Sequence, residues 1–187
     1  MLNGVFSDFE IDKMNVKFKD AAAAVAMNCV GSVEEELTAK VITKKCRGVT
    51  IKNVVKGTGE GTLTISAHVP YEIFKSAFGM EFETLKTGVT AYGSKSVHKE
   101  FCLTLHVNDE DGEEKYKAYP KCVCAARPTI SVENGAEEVA EVEMTVNIMP
   151  DDNGNGMYEA LADSLDEAIA TAWMSSFTPE LVQVTSA

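Results

Sequence analysis

Residues 62–69 read TLTISAHV, and the strict alternation of Leu63, Ile65, Ala67 and Val69 with Thr62, Thr64, Ser66 and His68 constrains this chain more than any other feature. A period of two sends successive side chains to opposite sides of an extended strand, so this segment has one buried face and one wet one. Phe101, Leu103, Leu105 and Val107 repeat the pattern against Cys102, Thr104, His106 and Asn108. Residues 137–149 repeat it again, with Ala140, Val142, Met144, Val146 and Ile148 inward and Glu141, Glu143, Thr145 and Asn147 outward. Strands come in runs, with one short helical pattern between them and a longer one at the end. The class expected is therefore α+β, mainly β, built from hairpins rather than from βαβ units.

Gly57, Gly59 and Gly61 stand just before the first of these strands. A phosphate loop needs a Gly-Lys-Ser/Thr ending or a GxGxxG that opens a helix. Neither is present, and the glycines read instead as the turn of a β-hairpin. Val49 and Ile51 alternate with Thr50 and Lys52 ahead of them, and the Val54-Val55 doublet marks a bulge or strand end. EEELTAKVIT (34–43) reads as a strand leading into that hairpin, and Asp111-Gly112 predicts a second hairpin. AAAAVAMNCV (21–30) suits either a helix or a buried or interface strand. YEIFKSAFGM predicts a short amphipathic helix with Ile73, Phe74, Ala77 and Phe78 on one face and Gly79 at its C-cap. The segment MYEALADSLDEAIATAWMSSFTPELVQV is helical by composition, with a capping box at Ser164 to Glu167. The organisation expected is a single domain: an N-terminal arm over 1–20, a β domain over 21–160, and a C-terminal helical segment and arm over 161–187.

A chain of 187 residues can bury a core that needs no staple. The five cysteines are odd in number and scattered, which fits reduced thiols in a cytoplasm during synthesis. Cys122 and Cys124 form a C-x-C pair in a strand-like run, without the second ligand pair of a zinc site. No run approaches a membrane span, and the opening MLNGVFSDFEIDKMNVKF lacks a basic region followed by an apolar stretch, so neither membrane insertion nor a standard secretion signal is expected. The formal charge of −12 repels phosphate and argues against tight nucleic-acid binding.

Catalytic and metal signatures are absent from the sequence. Asp151, Asn153, Asn155 and Gly156 occupy calcium-loop positions, but Ala162 stands where the bidentate glutamate belongs. His68, His98 and His106 read as surface or interface residues on outward faces or turn edges. No nucleophile elbow or HExxH occurs. The expectation is a protein that is not an enzyme, without cofactor or metal. Trp173 lies in the helical segment, where packing is its expected role.

Three stretches resemble the major tail proteins, or tail tube proteins, of tailed bacteriophages, particularly long-tailed siphophages of Gram-positive bacteria. They are KKCRGVTIKNVVKGTGEGTLTISAHVPYEIFKSAFGM, GVTAYGSKSVHKEFCLTLHVNDEDGEEKYKAYP and NGAEEVAEVEMTVNIMPDDNGNGMYE, which together cover most of residues 40–160. The likeness is one of overall pattern. It implies a β-sandwich or incomplete barrel with one short flanking helix and extended hairpins. It also implies hexameric rings stacked into a tube with an acidic lumen, through which phage DNA passes transiently and which holds the tape-measure protein. The tail terminator and distal tail proteins would be further partners. The location implied is the virion, after synthesis and assembly in the host cytoplasm. Under this resemblance Glu141, Glu143, Thr145 and Asn147 are the expected lumen face. The loop Lys44, Lys45 and Arg47 is expected to meet Glu34, Glu35 and Glu36 of a neighbouring ring. Three alternatives stand beside it: the inner tube of a contractile tail, phage-like bacteriocin or type VI secretion apparatus; a carbohydrate-binding β-sandwich module; and a small calcium-dependent protein resting on the Asp151 loop.

Overall fold

The structure is a computed structural model that describes residues 6–135 and 137–184. It is mainly β: eight antiparallel strands form one open sheet, accompanied by two α-helices. The strands are β1 (Glu10–Phe18), β2 (Val25–Met27), β3 (Val30–Cys46), β4 (Val49–Ala67), β5 (Phe101–Asn108), β6 (Glu114–Cys124), β7 (Val142–Ile148) and β8 (Tyr158–Leu161). Helix α1 spans Tyr71–Ala77 and α2 spans Glu167–Ser176. The sheet order is β2-β1-β5-β6-β7-β4-β3, with β8 added to β6.

The period-two faces curl round one core. Leu63, Ile65 and Ala67 of β4 meet Leu103, Leu105 and Val107 of β5, Cys122 and Cys124 of β6, and Met144, Val146 and Ile148 of β7. Helix α1 adds Ile73, Phe74 and Ala77, followed by Phe78, all buried as the helical spacing predicts. Gly79 takes φ +57 just after this helix, and a Cβ there would run into the backbone of Val97. Only glycine meets both conditions.

Several expectations are corrected. Residues 10–18, expected within an arm, form an integral strand with Met14 and Val16 buried; residues 1–5 of that arm lie outside the described residues. The 21–30 segment is neither a helix nor one continuous strand: it supplies the three-residue β2 and the first residue of β3. The β3–β4 hairpin is real, but it turns at Arg47-Gly48, both at positive φ. The three glycines lie inside the 19-residue β4, opposite the register shift between Leu37 and Ala39, so the bulge is there and not at Val54-Val55. Their role is close approach: Gly59 has φ +75, and a Cβ on it would sit 2.5 Å from the carbonyl oxygen of Gly154. Strand β7 starts at Val142, leaving Ala140 exposed. The segment after Pro150 is strand β8 before it is helix, and α2 has Asp166 as its N-cap with no side-chain capping bond, so the capping box does not form. Backbone pairing of Tyr158–Leu161 with β6 overrides their helical propensity.

Helix α2 covers the back of β1, β5 and β6. Trp173, fully buried, packs on Phe177 with ring centroids 4.8 Å apart and reaches Tyr116. The side chain of Asn15 on β1 ties the helix down by donating to the Met174 carbonyl at 2.7 Å.

Candidate functional site

β3 and β4 run well past the sheet. β4 is paired to β7 only over Gly61–Ala67, while its pairing with β3 continues to the Arg47-Gly48 turn. Beyond the glycines the two strands form a free ribbon of about eight residues a strand, roughly 25 Å long. Both of its faces are open: Val41, Ile42, Val49, Ile51 and Val55 are each about half exposed or more. Between Leu37 and Gly59 the chain carries Lys40, Lys44, Lys45, Arg47, Lys52 and Lys56 and no acidic residue. The net charge of −12 thus divides into +6 on the ribbon and −18 on the rest.

The register sharpens this segregation. Lys40 pairs with Lys56 and Lys44 with Lys52, with Ile42 and Val54 between them, so four ammonium groups share one ribbon face. Like charges directly opposite on a ribbon destabilise it. Among the described residues none of these four lysines has an ion-pair partner. Lys44, Lys45 and Arg47 lie at and beside the turn that ends the ribbon.

The expected acidic residues fall on both sides of the sheet. Cross-strand rows Ser32–Ser66–Glu143, Glu34–Thr64–Thr145 and Glu36–Thr62–Asn147 run over β3, β4 and β7 on the outer face. Glu34, Glu36, Glu143, Thr145 and Asn147 therefore share one polar, carboxylate-bearing surface. Glu141 lies just before β7, with its carboxylate against Gly31. Glu35 points the other way, in the row Glu35–Leu63–Val146.

Glu35 belongs to a polar latch at the open side of the sheet. There β1 and β3 face one another across a cleft of about 440 Å³, lined by Asp8, Ile11, Val30, Val33, Lys117 and Tyr119 among others. The Tyr119 hydroxyl donates to the Glu35 carboxylate, and Lys117 lies 3.5 Å from Glu35 and 2.8 Å from Asp8. Although its edge-strand backbone is open, the Glu35 side chain is only 20% exposed. Burial pushes the Tyr119 hydroxyl well above its ordinary pKa, and Glu35 adds to the rise. Burial alone would raise the Asp8 carboxyl, but Lys115 and Lys117 outweigh it and hold Asp8 below its ordinary value.

His106 is a further correction. It is buried and flanked by two carboxylates, with Nδ1 2.9 Å from Asp12 and Nε2 3.2 Å from Glu114, and its ring is stacked on Tyr116. The outward strand position was legible; the Tyr116 ring and the two carboxylates around it were not. His98 is half-buried, with Nδ1 2.7 Å from the Cys124 carbonyl, and His68 is exposed. Cys122 and Cys124 do point the same way, into the apolar core, where burial pushes the Cys124 thiol up to about 12. No metal-binding group of His, Cys, Asp or Glu occurs among the described residues. In the 151–156 loop the Asp151 carboxylate accepts from the Asn153 and Asn155 amides at 2.9 Å and from the Tyr158 hydroxyl at 2.6 Å, so it caps its own turn. No described helix is long and apolar enough to cross a membrane.

No known protein family and no curated protein matches this chain. Among solved structures, a chain in the cryo-EM structure of the anti-feeding prophage cap, the tube-terminating cap, is 11% identical with a TM-score of 0.46, covering 87% of this chain and 98% of its own. A chain in the six-fold symmetrised anti-feeding prophage baseplate is 12% identical with a TM-score of 0.46, covering 86% and 97%. Likenesses at this level do not establish a shared fold, so the functional reading rests on the geometry of this chain.

Proposed function

We propose that this chain is a self-assembling structural subunit of a phage tail tube, built as hexameric rings that stack into a conduit for genome and tape-measure protein. One observation carries the reading: a long cationic ribbon with both faces open and no ion-pair partner for its paired lysines among the described residues, on a strongly acidic body. Exposed ribbons and free strand edges are hazards for a monomer and assets for a subunit whose neighbours cover them. Because ribbon and body carry opposite charge at different places, a contact between them is heterologous, and such contacts close into rings or propagate as stacks. The resemblance noted in the sequence points the same way. A body of charge −18 also suits a conduit that must not hold DNA. Ring stacking through Lys44, Lys45 and Arg47 belongs to this proposal. Two uses compete for the outer face of β3, β4 and β7: a lumen wall and the landing surface of a neighbour's ribbon.

A tube inside a contractile sheath, a phage-like bacteriocin or a type VI apparatus differs from this in partners rather than in subunit geometry. The carbohydrate-module alternative loses its candidate platform, since Trp173 is 1% exposed. Negative-stain electron microscopy of the purified protein at several concentrations, with sedimentation alongside, tests the proposal. Hollow filaments or stacked rings are expected. A uniform monomer that never polymerises, even when seeded with an assembled tail tip, overturns it.

A further inference from the structure

We infer that the lysine face of the β3–β4 ribbon docks on the outer face of β3, β4 and β7 of a second copy, so that the carboxylates expected to line a lumen are instead an interface between subunits. The inference deepens the assembly reading above, on which it rests, by naming both surfaces.

The ribbon side is built for an acidic partner. Lys40, Lys56, Lys44 and Lys52 form two like-charged cross-strand pairs about 13 Å apart along the strands, with Ile42 and Val54 between them. A face of this kind costs stability in a free subunit, and the cost is removed when carboxylates come between the ammonium groups. The apolar pair between them shows that the matching surface is not a bare run of phosphates, because Ile42 is 47% exposed and would stay wet against one.

The sheet side offers the complement. Glu34 and Glu36 project about 7 Å apart along β3, and Glu143 stands two strands away, about 10 Å across the sheet. Among the described residues none of the three forms an ion pair. Between them lie Thr62, Thr64 and Thr145, whose methyl groups give Ile42 and Val54 an apolar footing. Neither surface can satisfy the other within one chain, since both sit on the same continuous ribbon and sheet; a second copy is required. With lysines held against carboxylates in a partly dry interface, the contact is worth more than exposed ion pairs and weakens with added salt.

The test uses full-length protein, an equal mixture of 15N-labelled and unlabelled chains, and a zero-length carbodiimide that joins ammonium to carboxylate only when the two touch. Mass spectrometry then reads mixed-isotope links. Links from Lys40, Lys44, Lys52 or Lys56 to Glu34, Glu36 or Glu143 are expected, with yield falling several-fold in 0.5 M salt. Such links in dimers, without tubes, would support the docking while sinking the tube. Tubes whose lysine links lie elsewhere would overturn the docking while leaving the tube. Charge reversal gives a second readout. A ribbon variant (Lys40→Glu, Lys44→Glu, Lys52→Glu, Lys56→Glu) and a face variant (Glu34→Lys, Glu36→Lys, Glu143→Lys), each confirmed folded by its melting curve, should fail to assemble alone and co-assemble when mixed. Assembly of the ribbon variant alone refutes the inference. So does a mixture that stays monomeric while both variants are folded. A gel shift of short duplex DNA that is lost in the ribbon variant, without any of the expected links, would overturn it in favour of a polyanion partner.

Discussion

Replacing Glu35 by alanine tests whether the open side of the sheet is closed by side chains rather than by backbone pairing. The substitution leaves the Tyr119 hydroxyl, in a residue with no exposed surface, without its acceptor. An orphaned buried hydroxyl costs about 1–3 kcal/mol. Lys117 loses its second anion at 3.5 Å but keeps Asp8 at 2.8 Å, which adds roughly 0.5 kcal/mol. The expected loss is therefore about 1.5–3.5 kcal/mol. With a urea slope of about 2 kcal/mol/M for a domain of this size, the midpoint falls by roughly 0.7–1.8 M. The sign of a second step is sharper than the magnitude of the first. Tyr119→Phe added to Glu35→Ala removes the orphaned hydroxyl, so the double variant should be more stable than Glu35→Ala alone. Urea titration followed by circular dichroism measures all three proteins. Additive losses, or a Glu35→Ala midpoint within error of the parent, would show that Tyr119 finds another partner and that the latch does not hold the seam.

Gly59→Ala should cost more than about 1 kcal/mol, because its φ of +75 and the carbonyl of Gly154 both oppose a Cβ, while Gly57→Ala, with open space around it, should be close to neutral in the same titration. The carboxyls of Asp8 and Asp12 are held low, Asp12 chiefly by its hydrogen bond from His106. The unfolded chain therefore takes up these protons first, and the stability they add is complete above about pH 4 and lost as pH falls through their lowered folded values. Urea midpoints measured from pH 6 to pH 2 should show this loss, and Asp8→Asn should flatten it. Native protein should react with a thiol reagent at Cys29 and Cys46 only, both exposed, and at all five cysteines after denaturation, since burial holds the Cys102 and Cys124 thiols at about 12. Trp173→Ala should cost about 3–5 kcal/mol by emptying the contact between α2 and the sheet, read by thermal melting.

The alternating strands were legible because alternation is a local signal: β5, the body of β4, and β7 from Val142 onward stand where the period-two pattern put them, although the expected wet face of β5 is covered, with Thr104 and His106 buried. Helix α1 was legible for the same reason, from apolar spacing and the glycine after it. Residues 158–161 were not, because MYEALAD carries a helical composition that loses to backbone pairing with β6. His106 illustrates a second kind of miss. Its strand position was read, but its surroundings came from neighbouring strands, the Asp12 carboxylate on β1 and Glu114 and the Tyr116 ring on β6. The charge run around Lys44 was visible in the sequence. The pairing of Lys40 with Lys56 and of Lys44 with Lys52 depends on the register of the hairpin, which is set by a turn at Arg47-Gly48 rather than at the three glycines.

What the sequence by itself determined is the class of structure and its charge: antiparallel strands with one wet face, a short helix, and a strong acidic excess interrupted by one basic stretch. These are properties of neighbouring residues, and alternation and composition record them. Only the tertiary structure decided which carboxylates share a surface. It set Glu34 and Glu36 beside Glu143 on one face and turned Glu35 inward to Tyr119, because adjacent strand residues point to opposite sides and cross-strand rows join residues more than a hundred positions apart.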